Sequence, residues 1–539
     1  MLGALACLLP GRIATAEEGA QGPLVTVQWL QAHRGDADLL VLDASPARLY
    51  AVEHIPGAVN ADLMSYGIKE KPAADMARLY ESWGVDQGRR IVLYDQGGTI
   101  FATRLFFSLY YDGVPPERLF VLDGGLSRWR EQGLPVSTEV TPAPAGGSFE
   151  IEGRREEVRA RLPEFLTASG DPVNNALLEA LDASWHYGEV HVLEKAGHVP
   201  HAILLPADDF FDADETFKSP DQIRRMLAYL GVRPEQTVYT HCGGGVAASV
   251  PFFALKFLLG YPKVKLYTES EMGWLRDERE LPYWTYDVPS LVRTANWLRF
   301  WGGPMLRTYG GVDVSIVDVR PKAEFDDGHV PFAIGIPAEV FRENLGSPGK
   351  LASILGAAGV DASHEAVVLS GAGLTKEAAL AFVMLEGLGQ RRASVLVDSF
   401  AQWAELGLAL TKQATLVGPK TAARNLVPSP AAFAAKPRED VIVLDPTRTR
   451  GLFPKVFVAS GAVLPVRAPE GKIVHVPYTD LLSADGRPKA AKEIWKILAE
   501  AGVPRYAEIV CYSDDPGEAA VNYFVLKLMG YPDVEVLLL

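Results

Sequence analysis

Cys242 closes the apolar run Val238-Tyr-Thr-His-Cys242 and is followed at once by Gly243, Gly244 and Gly245, then Val246 and Ala247. The run predicts a strand, and Ala248 to Leu259 predicts a helix. A strand–glycine loop–helix turn can aim several backbone N–H groups at one point, where the helix N-terminus adds partial positive charge. Those donors favour an anion, so a thiol at that point is expected as a thiolate. The chemistry this serves is a cysteine that accepts a sulfur atom and passes it on. A free cysteine is often just a small buried hydrophobe, but a packing cysteine needs no open glycine loop behind it. Cys511, inside the apolar run Ile509-Val-Cys-Tyr512, reads as such a core residue.

The elements that must hold Cys242 recur along the chain. Apolar runs ending in aspartate occur at Leu39–Asp43, Leu181–Asp182, Val314–Asp318 and Val441–Asp445. A short turn follows in three of them: His54-Ile-Pro-Gly-Ala58, His198-Val-Pro-His-Ala202 and His329-Val-Pro-Phe-Ala333. Helices ending at Gly84, Gly231, Gly359 and Gly502 come next, then a strand, a loop and an apolar helix stopping at Gly113, Gly260, Gly389 and Gly530. Alternating strands and helices of this length predict parallel βαβ units, an α/β fold with helices on both sheet faces and ligands at the strands' carboxyl ends. Pro/Ala/Gly-rich linkers separate the units at Thr141–Gly147 and Val427–Ala431.

The repeat supplies an internal control. Eleven residues beyond each of the four Gly-Val glycines stand Asp95, Cys242, Ser370 and Ser513. Counting back from the helix-end glycines agrees for the first two and shifts the last two by one residue, and either way only the second unit offers a thiol. Aspartate takes no sulfane sulfur, and an unactivated serine is a far poorer nucleophile than a thiolate. The histidines before Pro56, Pro200 and Pro331 recur in units without a thiol, so His198 is read as a turn residue rather than a base. His241 is unique to the second unit, but strand neighbours point to opposite faces, which argues against contact with Cys242.

At 539 residues the chain needs several cores, and its 48% hydrophobic and 22% charged content is that of a folded protein. A net charge of −15 without a basic run argues against nucleic acid as partner. The start, with an apolar run to Pro10 and Ala14-Thr-Ala16, reads as a signal peptide over residues 1–20 without the usual basic n-region. Export to the periplasm, or secretion, is the expectation, with a cytoplasmic chain as the alternative, and no other run is long enough to span a bilayer. Of three cysteines Cys7 falls in that leader, and the other two have no metal-ligand spacing.

This arrangement resembles the rhodanese (thiosulfate sulfurtransferase) family in a tandem multi-domain form. The resemblance rests on Leu42-Asp43-Ala-Ser, His54-Ile-Pro-Gly-Ala58, Leu122-Asp-Gly-Gly125 with Trp129, and Cys242-Gly-Gly-Gly-Val-Ala247. It implies rhodanese-like domains over 21–140, 155–288, 291–412 and, in degenerate form, 425–539, the second active and the others inactive at Asp95, Ser370 and Ser513. It also implies a six-residue loop from Cys242 to Ala247 that cradles the sulfur, with Asp182 helping to shape the pocket. The activity implied moves a sulfane sulfur from a small anionic donor, thiosulfate or 3-mercaptopyruvate, to cyanide or a thiol, with no metal or organic cofactor. The loop carries glycines and no cation, which is similar to the mercaptopyruvate enzymes. It departs from the family at Ala247, at Ser184 (where an arginine often follows the aspartate, as Arg320 does) and over Tyr267–Trp274; Arg276 and Arg279 are the basic candidates nearby. A cysteine phosphatase would need an arginine at Ala248, so that reading fails. The rival class is a non-catalytic scaffold or persulfide carrier for a protein partner.

Overall fold

A computed structural model of the protein describes residues 20–68, 70–145, 147–309, 312–417, 433 and 437–538. The expected leader with Cys7 and the Val427–Ala431 linker lie outside the described residues. Contacts divide the chain into two compact units: one runs to Ala183 and resumes over Val199–Leu227 and Val232–Pro282, and the other comprises Ser184–His198, Ala228–Gly231 and Tyr283 onward. No helix among the described residues is long and apolar enough to cross a membrane.

Apart from the antiparallel hairpin His191–Val192/Lys195–Ala196, the described residues form four larger sheets, two in each unit, that share one parallel strand order, the first of them extended by Ala20–Gln21 running antiparallel to Leu24–Val25. In the second sheet of the first unit it runs Ala202–Leu204, Asn175–Glu179, Thr237–His241, Val264–Tyr267, Arg159–Ala160. The sheet of residues 442–537 runs Lys472–His475, Lys455–Ala459, Glu508–Tyr512, Val534–Leu537, Ile442–Val443 in the same sense. Parallel strands covered on both faces must be apolar throughout, and Ile91-Val-Leu-Tyr94, Ala366-Val-Val-Leu369 and Ile509-Val-Cys-Tyr512 are buried at every position.

The register settles which residues correspond. Across the central ladder Asp43 faces Tyr94, Glu179 faces His241, Asp318 faces Leu369 and Ala459 faces Tyr512. Asp95, Cys242, Ser370 and Ser513 each leave their strand one residue later, so the eleven-residue spacing picks out one structural position. The same register corrects two expectations. In the second sheet the strand ends at Glu179, and Asp182 lies beyond it, exposed, just before the short helix Ala183–His186. Arg320 therefore corresponds to Leu181, not Ser184. In the fourth sheet Val441–Asp445 contributes only the short edge strand Ile442–Val443, while the strand beside Glu508–Tyr512 is Lys455–Ala459, which ends without a carboxylate. Asp445 instead caps a turn, accepting from the Thr447 N–H at 2.9 Å.

Within each unit the helix that follows one loop packs on the helix that follows the other. Phe106 meets Phe253 edge-on at 4.9 Å, Phe107 meets Phe252 at 5.0 Å, and the Thr103 and Ser249 hydroxyls lie 2.8 Å apart. In the other unit Phe382 meets Phe524 at 4.9 Å, and Glu386 accepts from Tyr523 and Lys527. The helix expected over Ala248–Leu259 is α-helical only over Ser249–Phe253 and continues as a π-turn over Ala254–Leu258. Pro251 is tolerated because it lies in the first turn, where N–H groups have no intrahelical partner.

Candidate active site

The sulfur of Cys242 sits at the bottom of the loop it begins, with only 3% of the residue exposed. The Gly245 N–H donates to Sγ at 3.1 Å. That approach needs the chain to turn back sharply: Gly245 has φ +86°, and a Cβ there would lie 2.2 Å from the Thr268 carbonyl oxygen. Only glycine fits. The loop's carbonyls are turned outward and held. Cys242 O accepts from Glu271 N and Gly243 O from Met272 N, both at 3.0 Å, while Cys242 N donates to Ser270 Oγ at 3.1 Å. Among the described residues, none accepts a hydrogen bond from the N–H of Gly243, Gly244, Val246 or Ala247. The Gly245 N–H is thus aimed at the sulfur, and the loop's remaining N–H groups are left without a protein acceptor among the described residues, an arrangement suited to an anion. Gly244 is exposed at the rim, with the half-exposed Met272 side chain against it.

The corresponding positions are filled by the protein itself. Asp95 places its carboxylate where an anion would go: Oδ1 accepts from Gly97 N at 3.0 Å, and Oδ2 from Phe101 N and Ala102 N at 3.0 and 2.9 Å. Glu215, in left-handed backbone at φ +63°, then covers Gly97 and Gly98. Asp95→Ala is expected to cost about 2–4 kcal/mol of stability, because buried N–H groups at a helix start lose a charged acceptor; denaturant unfolding of the full chain measures it. Ser370 Oγ donates to the Gly373 carbonyl at 2.9 Å, and Ser513 Oγ to Glu518 at 2.6 Å, so both hydroxyls are already bonded. The Ser370 loop is covered in turn by Gly486, whose carbonyl accepts from Leu374 N at 2.8 Å.

The histidines of the His-x-Pro turns do one job throughout. His54, His198 and His329 stack on the ring of Tyr50, His186 and Phe325 at 3.8, 3.7 and 4.0 Å, and each Nδ1 reaches that residue's carbonyl at 2.9 Å. His241 is fully buried against Phe165, with Nδ1 4.0 Å from the buried Glu271 carboxylate. Arg279 pairs with Asp277 on the surface, and Arg276 is exposed at a helix end. Cys511 is completely buried, and burial pushes its thiol well up. Ser270 and Met272 went unrecognised in the sequence. Their signal was positional, since Gly125 and Ser270 share left-handed backbone and Leu126 N reaches Asp95 O as Glu271 N reaches Cys242 O.

A family model for the rhodanese-like domain matches residues 26–132, 169–277 and 306–406. The chain is 33% identical over 277 residues to a probable 3-mercaptopyruvate sulfurtransferase of Pseudomonas aeruginosa, spanning 48% of this chain and 96% of the relative. It is 30% identical over 270 residues to the sulfur carrier protein TtuD of Thermus thermophilus, spanning 47% and 93%. Among solved structures, an anaerobic ergothioneine biosynthesis enzyme from Chlorobium limicola is similar at 23% identity and a TM-score of 0.44, over 49% of this chain and 70% of that one.

Proposed function

The chain belongs to the rhodanese-like family, and we propose that it is a sulfurtransferase working through a persulfide on Cys242, with thiosulfate or 3-mercaptopyruvate as donor and cyanide or a thiol as acceptor. The observation that carries this reading is the Gly245 N–H on Cys242 Sγ, inside a loop whose other N–H groups are free to bind an anion. In the first displacement the Cys242 thiolate attacks the donor's outer sulfur. With thiosulfate the S–S bond breaks and sulfite leaves with the electron pair. With 3-mercaptopyruvate the C–S bond breaks, pyruvate enolate leaves, and the thiol proton ends on its carbon. In the second displacement cyanide takes the outer sulfur as thiocyanate, or a thiolate takes it as a persulfide, and Cys242 thiolate is restored. The N–H groups of Gly243 to Ala247 hold the negative charge in both steps, as an oxyanion hole does for oxygen. Electrons and atoms balance without a redox partner.

The first, third and fourth sheets are on this reading inactive domains, the fourth lying beyond the family model's matches, and we propose that the chain is exported, to the periplasm or outside the cell. The second reading is a persulfide carrier that loads Cys242 and hands the sulfur to a protein; the similarity to a protein named a sulfur carrier favours keeping it. Intact mass after thiosulfate or 3-mercaptopyruvate, then cyanide, tests both. One sulfur gained and then lost, with thiocyanate formed catalytically, is the expected result. Loading without turnover moves the function to carriage, and no loading by either donor removes it.

A further inference from the structure

The first unit holds a pocket walled by Tyr66, Ile68, Glu70, Arg104, Ser108 and Tyr111. Arg104 is 3% exposed, and it donates from Nη1 to Ser108 Oγ at 2.7 Å and from Nη2 to the Ile68 carbonyl at 3.3 Å. Its Nε has no partner, and neither do the Tyr66 hydroxyl or Glu70 Oε1, all buried at this pocket. Buried polar atoms are nearly always satisfied in native proteins, so three orphans around one space call for a guest. The charge on Arg104 is permanent, while the acids in the wall are held by other arginines: Glu70 by Arg159 and Asp112 by Arg154.

Two links tie this pocket to the Cys242 loop. Thr103, the neighbour of Arg104, reaches the Ser249 hydroxyl on the helix that follows the loop. On the other side Arg159, the partner of Glu70, donates to Thr268 Oγ1 at 3.1 Å, and the Thr268 carbonyl packs directly on Gly245.

We infer that this pocket binds one oxygen of a small oxyanion, with Arg104 Nε and the Tyr66 hydroxyl as donors. The inference rests on the sulfurtransferase reading for its substrate: the oxyanion is the carboxylate of a 2-oxo acid or the sulfo group of thiosulfate, and Arg104 supplies the cation missing from the loop. The free space, about 10 Å³, admits one oxygen-sized group and not a whole molecule. Burial raises the Tyr66 phenol, which keeps its hydroxyl protonated and able to donate, while Glu70 stays paired with Arg159.

Binding is best read in the full chain carrying Cys242→Ser, where no sulfur moves, by following thermal unfolding against pyruvate and against sulfite. One or both ions are expected to raise Tm, and whichever acts identifies the donor class. Adding Tyr66→Phe or Arg104→Lys should weaken that binding about tenfold, and in the chain with Cys242 intact raise the donor KM about tenfold with kcat and the cyanide KM unchanged. No shift with either ion, or a Tyr66→Phe protein that binds like its parent, overturns the inference and leaves the pocket to water. Failure to load sulfur on Cys242 would count against the function instead, so the two failures are told apart.

Discussion

Cys242→Ser is expected to abolish sulfur loading and lower turnover by on the order of 10⁴-fold or more, because a serine hydroxyl is a far poorer nucleophile toward the donor's sulfur than a thiolate and does not hold a sulfane sulfur. Stability should move by no more than about 1 kcal/mol, since the substitution nearly preserves shape and the Gly245 N–H can donate to oxygen as it does to sulfur. Mass spectrometry of the treated proteins and paired unfolding curves measure the two effects. The control is Ser370→Cys in the same background. A thiol there follows a strand in the same register, yet the group it meets is the Gly373 carbonyl, an acceptor, and the loop is covered by Gly486. No activity should return. Position on the strand is therefore insufficient, and the direction of the loop's peptides decides. Loading that persists in Cys242→Ser would move the sulfur to another site and end the proposed mechanism.

That distinction also marks how far the sequence could be read. Cys242, Asp95, Ser370 and Ser513 were found by counting from a glycine because the left-handed turn at Gly84, Gly231, Gly359 and Gly502 ends a helix of nearly constant length before a strand of five residues. Local chemistry fixes such a spacing. The His-x-Pro turns were legible for the same reason, as the stacking ring lies four residues earlier in two of the three. Glu179 was missed in favour of Asp182 because both follow an apolar residue and only pairing with His241 tells them apart. Val441–Asp445 looked like a central strand because β-branching measures fit to a pleated surface and not place in the sheet. The strand that takes that place beside Glu508–Tyr512, Lys455–Ala459, opens with a lysine that snorkels to Glu508. Ser270, Met272, Tyr66 and Arg104 reach the site or its neighbourhood from distant segments, and no local pattern announces that. The sequence could show where a loop begins but not which residues close over it.

The three glycines after Cys242 look alike in the sequence and are not alike in space, which gives the second large expectation. Gly243 has open space where a Cβ would go, and at Gly244 a Cβ would make ordinary contact with the Met272 thioether at 3.6 Å. Gly243→Ala and Gly244→Ala should therefore fold with stability within about 1 kcal/mol of the parent. Gly245→Ala combines a left-handed φ of +86° with a Cβ 2.2 Å from a backbone oxygen, and neither can be relieved by a side-chain rotation. A loss of about 2–4 kcal/mol is expected from the backbone strain and the displaced Thr268 segment. Any folded fraction must also move the Gly245 N–H off Cys242 Sγ, removing the contact on which the persulfide depends, and a donor of this kind is worth on the order of 10²–10³ in kcat. Denaturant unfolding and thiocyanate formation on the three single variants separate the effects. Equal behaviour of all three would mean that the loop is held by its glycine content alone. A selective collapse at Gly245 would tie catalysis to the one peptide whose N–H is aimed at the sulfur.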